Sequence, residues 1–336
     1  MGKFNLKKSA LLCIMTVMVF AMTACGKNNT VSGKEEDGKL KVVTTIFPYY
    51  DFVRQIAGDK VSLSMAVPAG MDTHSFEPTA ADMIEIGKAD ILIYNGGEME
   101  VWVDEVIEAA AGKNLKAEEM MKYVDIVTEE TVEGMEEEHE HEHENEEHDE
   151  HEDEEHEHEE PEYDEHIWTS PVNAQKLVDK IVDILSEADS KNADFYEKNG
   201  EAYIEKLEKI DSEIKQITEN AKRDYVVFGD RFPLRYFVDQ YDLEYSAAFA
   251  GCSSDTEPSA DTLAFLIDKV KEKNIPVVLK IELTSPKVAE TVSAETGAKV
   301  MTFYTCHNVT KEQLDEGVTY CDLMEKNIDV LKEALN

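Results

Sequence analysis

The chain has 336 residues, of which 42% are hydrophobic, enough for two domains of ordinary size with globular cores. Its formal charge is −40, and positions 129–165 hold 23 Asp or Glu and no Lys or Arg, so removing those 23 charges leaves −17 for the rest. That balance repels nucleic-acid backbones and anionic surfaces and attracts cations, which excludes nucleic acid as a partner.

In chain order, Lys3, Lys7 and Lys8 precede an apolar stretch at 10–21, which reads as a secretory signal over residues 1–24. Small residues then lead into Cys25, in a pattern that resembles a bacterial lipobox. A lipidated Cys25 as mature N-terminus, with residues 25–39 as a polar tether, is the expectation. The protein is therefore expected outside the cytoplasm, lipid-anchored to the cell membrane. Strand patterns follow at 41–47 (KVVTTIF), 61–67, 90–94 and 123–127, separated by helical patterns at 50–57, 80–88 and 101–111. Alternation of this kind predicts an N-terminal α/β lobe with a parallel sheet over residues 40–170.

Residues 171–222 keep apolar side chains at helical spacing, with Pro171 suited to a first turn and Asp189-Ser190 marking a break. Strand patterns resume at 225–228, 243–249, 276–281 and 299–304, predicting a C-terminal α/β lobe over 223–336. The fold class is α/β: two lobes with parallel sheets joined by a long rigid helix.

Seven of the ten histidines crowd into the acidic run at 136–160, namely His139, His141, His143, His148, His151, His156 and His158. Imidazoles among carboxylates read as an accessory metal-collecting loop, expected to be disordered across 129–165. His139 to His143 formally satisfies the H-E-x-x-H zinc-protease pattern, but a repetitive charged run matches it by chance. His74, His166 and His307 remain for an ordered site. His74 follows the second strand in a turn shaped by Gly70 and two prolines, His166 precedes the long helical segment, and His307 follows the last strand. Loop histidines at the carboxyl ends of strands, contributed by both lobes, suit a zinc-type site in the crevice.

These motifs resemble the metal-binding lipoproteins of ABC transporters for zinc and manganese. The resemblance rests on residues 70–78 around His74, on 95–102 (NGGEMEVW), on 166–171 (HIWTSP), on Glu257-Pro-Ser259, and on Tyr320, Met324, Asn327 and Leu331. It implies two lobes bridged by a rigid helix, a metal ion held between them, and delivery to an ABC permease and its ATPase by a monomeric, non-enzymatic protein. A His-rich acidic loop is similar to that of the zinc-importing members.

One departure stands out. Where the family usually offers a His or Glu after the first strand of the second lobe, this chain reads Gly229-Asp230-Arg231. Asp230 is the nearest carboxylate, and either a ligand role or an ion pair with Arg231 fits it. The expected metal set is therefore His74, His166 and His307, with Asp230 as a weaker candidate and Glu282 as another carboxylate near the crevice.

Of the three remaining cysteines, Cys321 reads as packed on the last helix. Cys252 and Cys306 leave two alternatives: a disulfide, favoured by an oxidising compartment and seen in some relatives, or a thiolate that completes the site. Zn(II) is the expected cargo and Mn(II) the alternative. A metal-dependent surface adhesin and a metallohydrolase are the other classes, the latter lacking a general-base motif.

Overall fold

The computed structural model describes residues 38–112, 114–135, 162–253 and 257–336. The expected signal, the lipidation site Cys25 and all seven histidines of the acidic run lie outside the described residues. Among the described residues, no helix is long and apolar enough to cross a membrane.

The first lobe is a four-stranded parallel sheet in the order β2-β1-β3-β4, built from β1 (Leu40–Thr44), β2 (Val61–Met65), β3 (Ile91–Tyr94) and β4 (Lys116–Glu119). Helix α1 (Phe47–Ala57) follows β1 directly, because Pro48 in its first turn cannot extend the strand ladder but fits a helix start. Helices α2 (Ala80–Ile86) and α3 (Trp102–Ala109) complete the crossovers. The strand expected at 123–127 does not form. Residues 120–123 are a single 3-10 turn, and the fourth ladder position goes to the charged segment KAEE, whose backbone pairs with β3 at the sheet edge. An edge strand needs hydrogen bonds on one side only and tolerates exposed charge, so pairing outweighs its weak intrinsic preference.

The second lobe repeats the design with β5 (Tyr225–Phe232), β6 (Glu244–Ala250), β7 (Val277–Ile281) and β8 (Lys299–Phe303), all parallel in the order β6-β5-β7-β8. Between the lobes run α4 (Pro171–Ala188) and α5 (Ala193–Glu219), with the break at Asp189 and a 3-10 turn over Ser190–Asn192. Ser170 caps α4 by accepting the Asn173 N–H, and Pro171 occupies the first turn. Leu177, Val178, Ile181, Ile184 and Leu185 recur at helical spacing and are buried. Each contributes roughly 1.5–3 kcal/mol of apolar burial. Gly200 lets α5 approach α4 closely, since a Cβ there would run into Val182.

Helix α5 touches α1 in the first lobe. On the other side it meets α6 (Arg235–Tyr241) and the terminal helix α10 (Tyr320–Leu335) of the second lobe. The remaining second-lobe helices are α7 (Ala260–Glu272), α8 (Lys287–Thr296) and α9 (Lys311–Glu316). One apolar cluster runs through both lobes, from Val42 and Phe52 through Trp168 and Leu207 to Phe228, Phe237 and Leu331. Parting the lobes would expose that cluster, so the interface is built to stay closed.

Polar contacts pin it further. Asn308 donates through Nδ2 to the carbonyls of Pro68 and Met71, Trp168 Nε1 donates to Thr305 O, and Tyr320 OH donates to Trp168 O. Buried Asp51 on α1 accepts from Tyr203 OH on α5 and from the backbone N–H of Tyr320 on α10.

Candidate metal centre

Asp230 lies within β5, and the other candidate side chains sit on loops, at the carboxyl ends of parallel strands or, for His166, just before α4. His74 lies in the loop after β2, where the Asp72 carboxylate accepts the His74 N–H at 2.9 Å and the Gly70 N–H donates to Val309 O across the lobe boundary. His166 lies just before α4. Its Nδ1 faces Asp164 Oδ1 at 3.1 Å, and the same oxygen accepts the His166 backbone N–H at 2.8 Å. A carboxylate can only accept, so His166 carries its proton on Nδ1 and presents a bare Nε2.

That Nε2 stands 3.2 Å from Nε2 of His74. Tetrahedral zinc with bonds of about 2.0–2.1 Å to nitrogen places neighbouring nitrogens about 3.3–3.4 Å apart, so the two rings are already spaced as one edge of such a shell. Burial, reinforced by His166, Arg231 and His307, pushes the His74 pKa down to about 3. His74 is consequently a neutral imidazole at physiological pH, the form that ligates metal.

Glu165 and the loop after β3 hold this half of the site. Glu165 accepts the backbone N–H groups of Glu98 and Met99, while Asn95 Nδ2 donates to Glu165 O at 2.9 Å. Gly97, at φ +83°, has room only for hydrogen, because a Cβ would collide with the Glu165 side chain. The sequence NGGEMEVW thus serves as the bed on which Asp164, Glu165 and His166 lie.

The second lobe brings Cys252 to the pair. Among the described residues, donor atoms of His74, His166 and Cys252 lie within 4.8 Å of one another. The two cysteines expected to pair are separate free thiols. Cys252 follows β6 beside the histidines, whereas Cys306 is fully buried, with its Sγ directed to Tyr304 O. Burial, with the carboxylates of Glu129, Glu165 and Asp164, drives the thiol pKa of Cys252 upward.

His307 stands outside this trio but within electrostatic reach of His74 and Asp72. Thr305 Oγ1 donates to Glu282 and lies 2.7 Å from His307 Nδ1, so that nitrogen is the donor and Nε2 is left bare. Glu282, the other carboxylate expected near the crevice, is 7% exposed and takes both the N–H and the hydroxyl of Thr305. Burial alone would raise its carboxyl, yet the hydrogen bonds from the His307 side chain and from the Thr305 N–H hold it below the usual range. Leu283 and Cys306, flanking Glu282 and His307, both adopt positive φ, a strained backbone for side-chain-bearing residues that fixes the two loops.

Asp230 does not join the donors. Its oxygens are taken by the N–H groups of Arg231 and Ile281 and by Thr284 Oγ1, all within the second lobe. The ion pair anticipated between Asp230 and Arg231 goes elsewhere: the Arg231 guanidinium crosses the crevice to Asp72 at 2.6 Å. A cavity of about 330 Å³ opens beside His74, lined by Asp72, Asp230 and Arg231 among others.

The disorder expected across 129–165 does not hold for the described residues at its two ends, and residues 136–161 lie outside the described residues. Glu129 N–H donates to Glu162 O, Thr128 bridges Tyr163, and Asp164 and Glu165 are buried beside His166. Sequence reasoning took Asp164 and Glu165 for part of the charged run, and only their position two residues or fewer from a histidine before Pro171 hinted otherwise.

Comparison with known proteins agrees with this architecture. A family model described as zinc-uptake complex component A, periplasmic, matches residues 42–334. The high-affinity zinc uptake system protein ZnuA of Bacillus subtilis is 35% identical over 331 residues, 98% of each chain. The zinc-binding lipoprotein AdcA of Streptococcus pneumoniae is 34% identical over 329 residues, and the match spans 98% of this chain but only 61% of that longer protein. The crystal structure of the Zn(II)-bound ZnuA-like domain of S. pneumoniae AdcA matches with a TM-score of 0.70 at 31% identity, covering 89% of this chain and 99% of that domain. With two equivalent parallel-sheet lobes, histidines converging between them and a family match over nearly all of the described chain, the protein belongs to the ZnuA family of zinc-uptake components.

Proposed function

We propose that this chain captures Zn(II) between its lobes outside the cytoplasm and hands it to the membrane permease of an ABC importer, powered by a cognate ATPase. The observation that carries the reading is the pair of imidazoles of His74 and His166, whose Nε2 atoms are spaced at 3.2 Å as for a shared tetrahedral ion. His307, with Nε2 free, supplies a further nitrogen from the second lobe. The chain acts in transport, as a zinc-uptake component, rather than in catalysis. Nitrogen and sulfur donors favour zinc over manganese, which prefers oxygen.

On this reading the acidic run with its seven histidines raises the local metal concentration through weak, exchangeable ligands. Lipidation at Cys25 tethers the monomer to the membrane beside its permease.

The test is complementation. Expressed with its permease and ATPase in a bacterium lacking zinc uptake, the chain restores growth in chelator-treated medium, and His74→Ala does not. Growth that His74→Ala restores equally well would refute capture at this site.

A further inference from the structure

We infer that Cys252 is a zinc ligand, which makes the centre a mixed imidazole–thiolate site and Cys252 its specificity-determining donor. This rests on the metal-capture reading above and adds to it a sulfur donor from the second lobe.

The argument begins with what the carboxyl end of β5 cannot supply. Gly229 is pressed against the backbone of Ala289 on α8, where an added Cβ would lie 2.5 Å from Cα, so no side chain fits. Asp230 spends its carboxylate on Arg231, Ile281 and Thr284, and Arg231 is a cation committed to Asp72. The neighbouring parallel strand is β6, paired with β5, and its carboxyl end leads through Gly251 to Cys252.

The loop there is fixed from several directions. Gly251 lies against Phe232 O and Pro233, the Cys252 N–H donates to Glu129 Oε1 at 3.1 Å, and the Ser253 carbonyl accepts from Arg231. Arg231 in turn grips Asp72, whose other oxygen holds the backbone of His74. One chain of contacts therefore sets the sulfur and the His74 ring relative to each other. Among the described residues, no hydrogen-bond partner takes up the Cys252 sulfur, in contrast to Cys306, which leans on Tyr304 O.

Binding requires one proton transfer and no redox chemistry. The thiol S–H bond breaks, its proton leaves to water, and the sulfur lone pair forms the Zn–S bond. A soft thiolate selects zinc against manganese and calcium, which take hard oxygen ligands. Release remains accessible because the sulfur and the two imidazoles belong to different lobes, so a small displacement of the β6 loop drops the Zn–S bond while both nitrogens stay in place.

Cobalt(II) reports thiolate ligation directly, through a sulfur-to-metal charge-transfer band in the near ultraviolet. The full chain with one equivalent of Co(II) is expected to show that band. Cys252→Ser is expected to lose it while keeping a folded circular-dichroism spectrum and one bound cobalt, and to discriminate less between Zn(II) and Mn(II) in competition. Cys321→Ser serves as control and keeps the band. A wild-type chain that binds one cobalt without the band, or a band that survives Cys252→Ser, overturns the thiolate assignment and leaves the capture reading intact. Folded protein that binds no equivalent of cobalt or zinc overturns the capture reading itself.

Discussion

Asp164 holds His166 twice, accepting its backbone N–H at 2.8 Å and facing its Nδ1 at 3.1 Å with one and the same oxygen. The carboxylate therefore sets both the direction of the ring and the tautomer that leaves Nε2 bare. Asp164→Asn should fold normally and weaken Zn(II) binding by about 10–100-fold, the usual effect of losing a carboxylate behind a ligating histidine. Competition with a chelator of known affinity measures it, and an unchanged affinity would show that Asp164 does not orient the ring.

Asn308 ties the loop after β8 to the His74 loop through two hydrogen bonds to the carbonyls of Pro68 and Met71. Asn308→Ala strips two acceptors of their partner at the lobe boundary, and a destabilisation of about 1–3 kcal/mol is expected. Urea unfolding reads this directly. Limited proteolysis should cut residues 68–75 faster in the variant than in the wild type.

Gly97 adopts φ +83° and ψ −172°, a region of the map that is essentially reserved for glycine, and its missing Cβ makes room for Glu165. Gly97→Ala is expected to cost about 1–3 kcal/mol in stability from backbone strain alone. Because displaced Glu165 is the neighbour of His166, zinc affinity should fall as well. A variant with wild-type melting temperature would contradict the close packing described.

Glu100 is a buried carboxyl that accepts the N–H groups of Asn95 and Gly96, with Thr45 close by. Burial pushes its pKa up to about 7 from an ordinary 4.5. Since the folded value exceeds the unfolded one, the folded state binds the extra proton. The resulting stability is fully present below about pH 4.5 and is lost as pH rises through 7. The loss amounts to about 3 kcal/mol, from about 1.36 kcal/mol per pKa unit. Glu100→Gln removes the titration, so its melting temperature should vary less between pH 5 and 8 than that of the wild type. Equal slopes would rule out Glu100 as the titrating group.

Much of this was legible in the sequence. Apolar β-branched runs such as KVVTTIF and DILIYN announced their strands because central parallel strands are buried on both faces, and Pro171 announced its helix. KAEE was not legible as β4, since an edge strand is selected by the backbone of β3 rather than by its own side chains. His74 and His166 stood out by residue type and loop position. Asp164 did not, because a carboxylate that orients a ring looks the same in sequence as its exposed neighbour Glu162. Cys252 and Cys306 stay apart because they follow β6 and β8, the two outer strands of the second sheet, a strand order that no spacing encodes.

The central claim is that one ordered site between the lobes, and not the acidic run, holds zinc tightly. Metal content and competitive titration of the mature protein test it, comparing the wild type, a variant with residues 136–160 replaced by a short Gly-Ser linker, and His74→Ala. One tightly bound zinc that survives the loop replacement and is lost in His74→Ala is the predicted result. Tight binding that vanishes with the loop and persists in His74→Ala would contradict it.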